Sequence, residues 1–197
     1  MKIFFLQKKI LKFACSLLLL LATIIPCYAM KSNHGLDGFI QSEINATKNA
    51  RMHSNMGNIY FDEKKYPAAL KEYEIAYNLA YKTQAAGTYL YNIARCYYVL
   101  QNYQWAKNAI LGAIKKDCMN ITYYQLLVDC FIKLGITEIE LQKHIEDVTN
   151  PYNRIVVGLI YLKTDRHAQA RATFDDYVVN HPKMLITQEV KAILRQM

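Results

Sequence analysis

Glycine and proline are scarce in this 197-residue chain, at seven and four residues, and tryptophan occurs once. With so little glycine, no Gly-rich phosphate-binding loop can be drawn. The five histidines stand at 34, 53, 144, 167 and 181, far from one another. No His/Cys/carboxylate group has the spacing of metal ligands. Glu138 and Glu140 would point to different faces of a helix. The pairs Asp175-Asp176 and Glu146-Asp147 fit solvated helix surface. A catalytic, cofactor or metal site is therefore not expected, and neither is an enzyme.

Acid is missing from the first stretch of the chain. Lys2, Lys8, Lys9 and Lys12 precede an apolar run from Phe13 to Ile25, with Leu17 to Leu21 at its centre. Pro26, Cys27, Tyr28 and Ala29 follow, small residues flanking a large one. A basic start, an apolar middle and a small-x-small site make a secretory signal peptide with cleavage after Ala29. The expectation is export to a periplasm or the extracellular space. An uncleaved anchor is the rival, because Phe13 to Met30 is uncharged over 18 residues, just enough to span a bilayer. Lipidation is disfavoured, since Pro26 rather than a small residue precedes Cys27.

The formal charge of +8 comes from 24 basic and 16 acidic residues. Loss of the four leader lysines leaves 20 against 16, a net of about +4, so total charge gives no warrant for nucleic-acid binding. Cys96, Cys118 and Cys130 remain, an odd number. Cys96 and Cys130 stand at equivalent places, where successive helices usually hold Cα atoms beyond the roughly 7 Å limit for a bridge. They are expected as small buried apolar residues.

What the chain does have is a repeat. Gly57-Asn-Ile-Tyr60 returns as Gly158-Leu-Ile-Tyr161, with Ala94-Arg-Cys-Tyr97 and Val128-Asp-Cys-Phe131 between them. The steps are 37, 34 and 30 residues, the spacing of helical-repeat solenoids. In the first unit Met56 and Tyr60 share one helical face, with Gly57 admitting a second helix. Ala69, Tyr73 and Ala76 supply the answering face. Asp62 to Lys65 is the polar turn, and Pro67 falls in the first turn of the next helix. The second unit repeats this with Ile93, Ala94, Tyr97, Tyr103, Ala106, Ile110 and Ala113, and turns at Gln101-Asn102. The third keeps Leu127, Val128, Phe131 and Gly135, but its second helix, about Thr137 to Asp147, is worn. In the fourth, Asn150 caps a helix opened by Pro151. Val157, Gly158, Tyr161, Ala170 and Phe174 follow, with Thr164 to Arg166 at the turn. Tyr177 takes the place of Ala76 and Ala113, which predicts looser packing at that end. Leu36 to Asn49, with Phe39, Ile40 and Ile44, reads as a leading helix. Leu185, Ile186, Val190, Ile193, Leu194 and Met197 read as an amphipathic terminal cap.

These motifs resemble the tetratricopeptide repeat over about Asn49 to Pro182; Ala170 to Phe174 with Pro182 match the later half of its pattern. The leading aromatic is met only by Tyr124, and His53, Leu90 and Arg154 replace it elsewhere. The resemblance implies an all-α, right-handed superhelical solenoid of antiparallel helix pairs. The expected layout is a signal peptide at 1–29, a leader helix at 30–48, repeats at 50–83, 87–120, 121–149 and 151–182, and a cap at 183–197. It also implies that the first helix of each pair lines a concave groove. That places Ser54, Asn58 and Phe61 on the groove, then Tyr91, Arg95 and Tyr98, then Gln125, Asp129 and Ile132. Ile155, Leu159 and Leu162 would continue it as an apolar stripe covered by the terminal helix or by a partner. Some relatives clamp a chaperone's terminal carboxylate with lysines and asparagines. The corresponding Ser54, Asn58, Asn92, Thr122 and Leu126 lack the cations, so clamp activity is not expected. Trp105 should be exposed or rest on the first repeat.

The expected function is an exported, non-catalytic scaffold for a protein or peptide partner. No cofactor, nucleic acid or small-molecule substrate is expected, and membrane association follows only if the leader is retained. A self-associating envelope subunit and an accessory subunit of an envelope enzyme are the alternatives. Asn45-Ala-Thr47 and Asn120-Ile-Thr122 match the glycosylation pattern, by chance on this reading.

Overall fold

The computed structural model describes residues 37–136 and 150–197. The leader and the second helix expected for the third unit lie outside these residues. Two compact units divide the chain, Met1–Thr47 and Lys48–Met197. Of the first, residues 37–47 are helical, and Phe39, Ile40 and Ile44 on it are exposed. The second unit opens with α1, residues 48–62. It continues with α2 (Tyr66–Ala80), α3 (Ala86–Val99), α4 (Tyr103–Lys116) and α5 (Ile121–Lys133). After the undescribed segment come α6 (Pro151–Lys163), α7 (His167–Asn180) and α8 (Thr187–Gln196). No strand occurs among the described residues, and none of their helices is long and apolar enough to cross a membrane. The architecture is an all-α solenoid in which each helix packs mainly on its chain neighbours.

One device ends the first helix of every pair. Lys64, Gln101, Gly135 and Asp165 have φ of 61°, 63°, 67° and 59°. Each lies seven residues after the small position of its motif. The N–H of the next residue then reaches back to the carbonyl of the motif aromatic: Lys65 to Tyr60 at 2.8 Å, Asn102 to Tyr97 at 2.8 Å, Ile136 to Phe131 at 3.0 Å and Arg166 to Tyr161 at 2.8 Å. This is a Schellman closure, which satisfies carbonyls the helix leaves open. Only the third turn uses glycine, so the other three hold an L side chain in a left-handed conformation at about 1 kcal/mol each. The worn third unit is thus in register with its neighbours.

The starts differ. Asn120 and Asn150 cap α5 and α6, each side chain accepting from a backbone N–H two residues on, at 3.1 Å from Thr122 and 3.0 Å from Tyr152. The Asn120-Ile-Thr122 pattern is therefore a helix cap in this fold. Pro67 and Pro151 sit in the first turns of α2 and α6.

Packing follows the motif. A Cβ on Gly57 would lie 2.6 Å from Cε1 of Tyr73, and one on Gly158 would lie 2.8 Å from Cδ1 and Cζ of Phe174. The glycines let an aromatic ring on the second helix lie against the backbone of the first. Ala69, Tyr73, Ala76, Ala106, Ile110, Ala113, Ala170 and Phe174 are fully buried. Cys96 and Cys130 are buried and all three described cysteines are free.

Three expectations need correction. Met56 is exposed, because Gly57 and Tyr60, not Met56, turn toward α2. Tyr177 is not in loose packing: it is fully buried, and its hydroxyl lies 3.5 Å from Met184 Sδ in the segment leading to α8. The terminal helix makes room for it by closing over it. Leu185 points outward, at 75% exposure, while Ile186 and Val190 carry the cap contact. Ile155 and Leu159 are buried, as a covered stripe would be. Both join the core cluster that runs from α3 to α8, and α8 itself packs on α7.

Candidate functional site

The first helices of three successive pairs converge on one cleft. Phe61 comes from the end of α1, Tyr91, Arg95, Tyr98 and Val99 from α3, and Thr122, Gln125, Leu126 and Asp129 from α5. The cleft encloses about 270 Å³. Residues on α3 and α5 reach it because they recur at three- and four-residue steps, which stack on one helical face.

Arg95 is the centre of the arrangement. Its guanidinium lies 4.2 Å from the centroid of the Phe61 ring and 5.9 Å from that of Tyr91. Such stacking over an aromatic face is favourable and fixes the plane of the group. Nη1 makes one long contact, 3.4 Å to Asn92 Oδ1. Tyr91 is itself stacked on the buried Tyr123, centroids 5.1 Å apart. Tyr98 meets Tyr103 edge-on at 5.4 Å. Burial, helped by the nearby Asp129 carboxylate, raises the Tyr98 phenol above its ordinary value. It therefore stays a neutral donor. On the other wall Asp129 is bound by Lys163 of α6 at 2.8 Å.

Six of the eight residues singled out from the sequence thus meet here: Phe61, Tyr91, Arg95, Tyr98, Gln125 and Asp129. Ser54 and Asn58 do not. Ser54 is buried on α1, and Asn58 Oδ1 accepts from the Tyr73 hydroxyl at 2.7 Å. The ring that fills the gap at Gly57 also occupies the amide of the next residue. Thr122 and Leu126, named from the sequence only as places of the absent clamp, also line the cleft, as does Val99, which the sequence did not single out. Thr122 is three residues before Gln125 and seven before Asp129, so the same stripe would have found it. Ile132 is exposed as expected, but it is not part of the lining. Trp105 is 64% exposed, its ring 6.2 Å from that of Tyr97.

The cleft offers donors and an aromatic floor, not a nucleophile beside a base. Among the described residues no group of three His, Cys, Asp or Glu is placed to hold a metal. A larger cavity of about 640 Å³ lies between α4, α5 and the start of α6.

The chain is similar to solved tetratricopeptide-repeat structures. One is the TPR domain of Arabidopsis OM64, at 18% identity and a TM-score of 0.43, covering 77% of this chain and 98% of that one. A second is the first TPR of Spaghetti (RPAP3) bound to the HSP90 peptide SRMEEVD, at 15% identity and a TM-score of 0.44, covering 76% and 93%. A third is YrrB, a TPR protein with an unusual peptide-binding site, at 20% identity and a TM-score of 0.46, covering 73% and 75%. No family profile and no curated protein matches. The repeat register rests on the four equivalent left-handed turns rather than on these scores.

Proposed function

We propose that this chain is an exported, non-catalytic scaffold that holds a protein or peptide segment in the cleft between α1, α3 and α5. The observation that carries the reading is the convergence of Phe61, Tyr91, Arg95, Tyr98, Gln125 and Asp129 from three helices on one concavity. Tyrosine and arginine are the side chains in which binding energy concentrates at interfaces. Because the helices are already formed and the rings already packed, a ligand would not have to order its receptor. Export rests on the basic start, the leucine run and the Cys27-Tyr-Ala29 site.

Two experiments test the two halves. Intact mass of exported protein should give Met30 as the first residue; a full-length chain held in membranes through alkaline washing would make the leader an anchor. For binding, the segment 30–197 is immobilised and used to capture partners from an envelope extract. Arg95→Ala with Gln125→Ala should lose the captured partner, and Trp105→Ala should keep it. The reverse pattern would move recognition to the surface around Trp105.

A further inference from the structure

The charges around the cleft do not balance locally. Among the described residues Asp129 is the one carboxylate that lines it, and Asp129 is bound to Lys163 at 2.8 Å. Arg95 has no carboxylate within ion-pair distance among the described residues. Its one polar side-chain contact among the described residues is the long one to Asn92. This half-buried guanidinium, held over the Phe61 ring with no carboxylate beside it among the described residues, is open to one brought by a ligand. Two groups around it can donate as well, the Tyr98 phenol and the Gln125 amide, while the Thr122 hydroxyl already donates to Asn120 Oδ1 at 2.7 Å. With Asp129 neutralised by Lys163, the charge left over in the cleft is that of Arg95, with two donors near it.

We propose that this cleft selects a peptide segment carrying an aspartate or glutamate side chain, whose carboxylate is received by Arg95; the proposal rests on the peptide-binding reading above. A planar guanidinium matches a carboxylate with two parallel hydrogen bonds. Phe61 holds the plane from behind, so little rotamer freedom is lost on binding. A volume of about 270 Å³ is below the usual range for a whole small-molecule ligand, and suits one side chain of a segment that runs on across α3 and α5. The terminal carboxylate of the peptide is not required: the positions corresponding to a terminal-carboxylate clamp hold Ser54, Asn58, Asn92, Thr122 and Leu126, none of them a cation.

The test uses oriented libraries of short peptides with acetylated and amidated ends, a fixed central Glu, Gln, Lys or Leu, and random flanks. Binding to the segment 30–197 is read by fluorescence anisotropy. The Glu library should bind at least about tenfold more tightly than the Gln library, as expected for loss of a charge-assisted pair. Arg95→Gln should erase the difference, and Arg95→Lys should restore part of it. Gln125→Glu places a competing carboxylate in the cleft without touching Arg95, and should erase the Glu preference even if Arg95 variants fold poorly. Equal binding of Glu and Gln libraries, or preference for Lys or Leu, would overturn the proposal and leave peptide binding standing. Failure of every library to bind would overturn both.

Discussion

Gly158 and Gly112 are both glycines inside helices, and their contrast isolates the packing that defines the repeat. Replacing either with alanine removes the same helix-propensity deficit, about 1 kcal/mol, so that gain cancels between the two variants. The new methyl does not cancel. At 158 it would sit 2.8 Å from two atoms of the Phe174 ring, which is fully buried and cannot swing away. At 112 it would sit 3.2 Å from Cδ1 of Leu90, the tip of a half-buried side chain that can rotate. Overpacking of a closed core costs about 1–3 kcal/mol. For a domain of this size each kcal/mol moves the melting temperature by about 2–4 °C. Gly158→Ala should therefore melt about 6 °C below Gly112→Ala by far-UV circular dichroism, and a leucine at 158 should be worse still. The mechanism has its own check. Phe174→Leu vacates part of the contested space, so the double variant Gly158→Ala with Phe174→Leu should lose less than the two singles combined, by about 1 kcal/mol. Equal melting temperatures for the two alanine variants, or strict additivity with Phe174→Leu, would mean that the ring does not rest on the Gly158 backbone.

The turns give a second prediction: Gln101→Gly relieves a left-handed side chain and should stabilise by up to about 1 kcal/mol, while Gly135→Ala should cost about as much; urea denaturation midpoints read both, and an unchanged Gly135→Ala would sink the closure argument. A third concerns alkali. Burial pushes the Cys96 and Cys130 thiols and the Tyr73 phenol up to about 12, from ordinary values of 9.0 for the thiols and 10.0 for the phenol. Groups whose folded value is raised contribute stability that is complete below the unfolded value and lost as pH climbs through the folded one. Stability should therefore hold up to pH about 9 and fall between about 9 and 12; a flat profile across that window would contradict the burial of these groups. Finally, iodoacetamide at pH 8 should label the half-buried Cys118 first, with Cys96 and Cys130 reacting only on unfolding, as peptide mapping can show; rapid labelling of Cys96 would place it at the surface.

Much of this protein was legible in its residues because helical repeats are built from local rules. Gly57 and Gly158, the alanines answering them at 69, 76 and 170, and Asn150 before Pro151 act within a few residues or one helix pair. Periodicity alone therefore located them. The cleft was half legible for the same reason: residues three and four apart share a face, so Tyr91, Arg95 and Tyr98 had to stand together. Which faces stay open was decided elsewhere. Ser54 and Asn58 occupy the same stripe as Phe61, yet Ser54 is buried and the Tyr73 hydroxyl takes the Asn58 oxygen. Ile155 and Leu159 repeat the stripe of Arg95 and Asp129, but as apolar side chains they are drawn into the core shared by α5, α6 and α7. Tyr177 broke the small-residue rule because the segment before α8 folds over it. Pairing of Asp129 with Lys163 joins residues from separate repeats, and among the described residues Arg95 has no such partner. No spacing along the chain encodes which of two charges a third one will reach; only the packed helices bring that choice about.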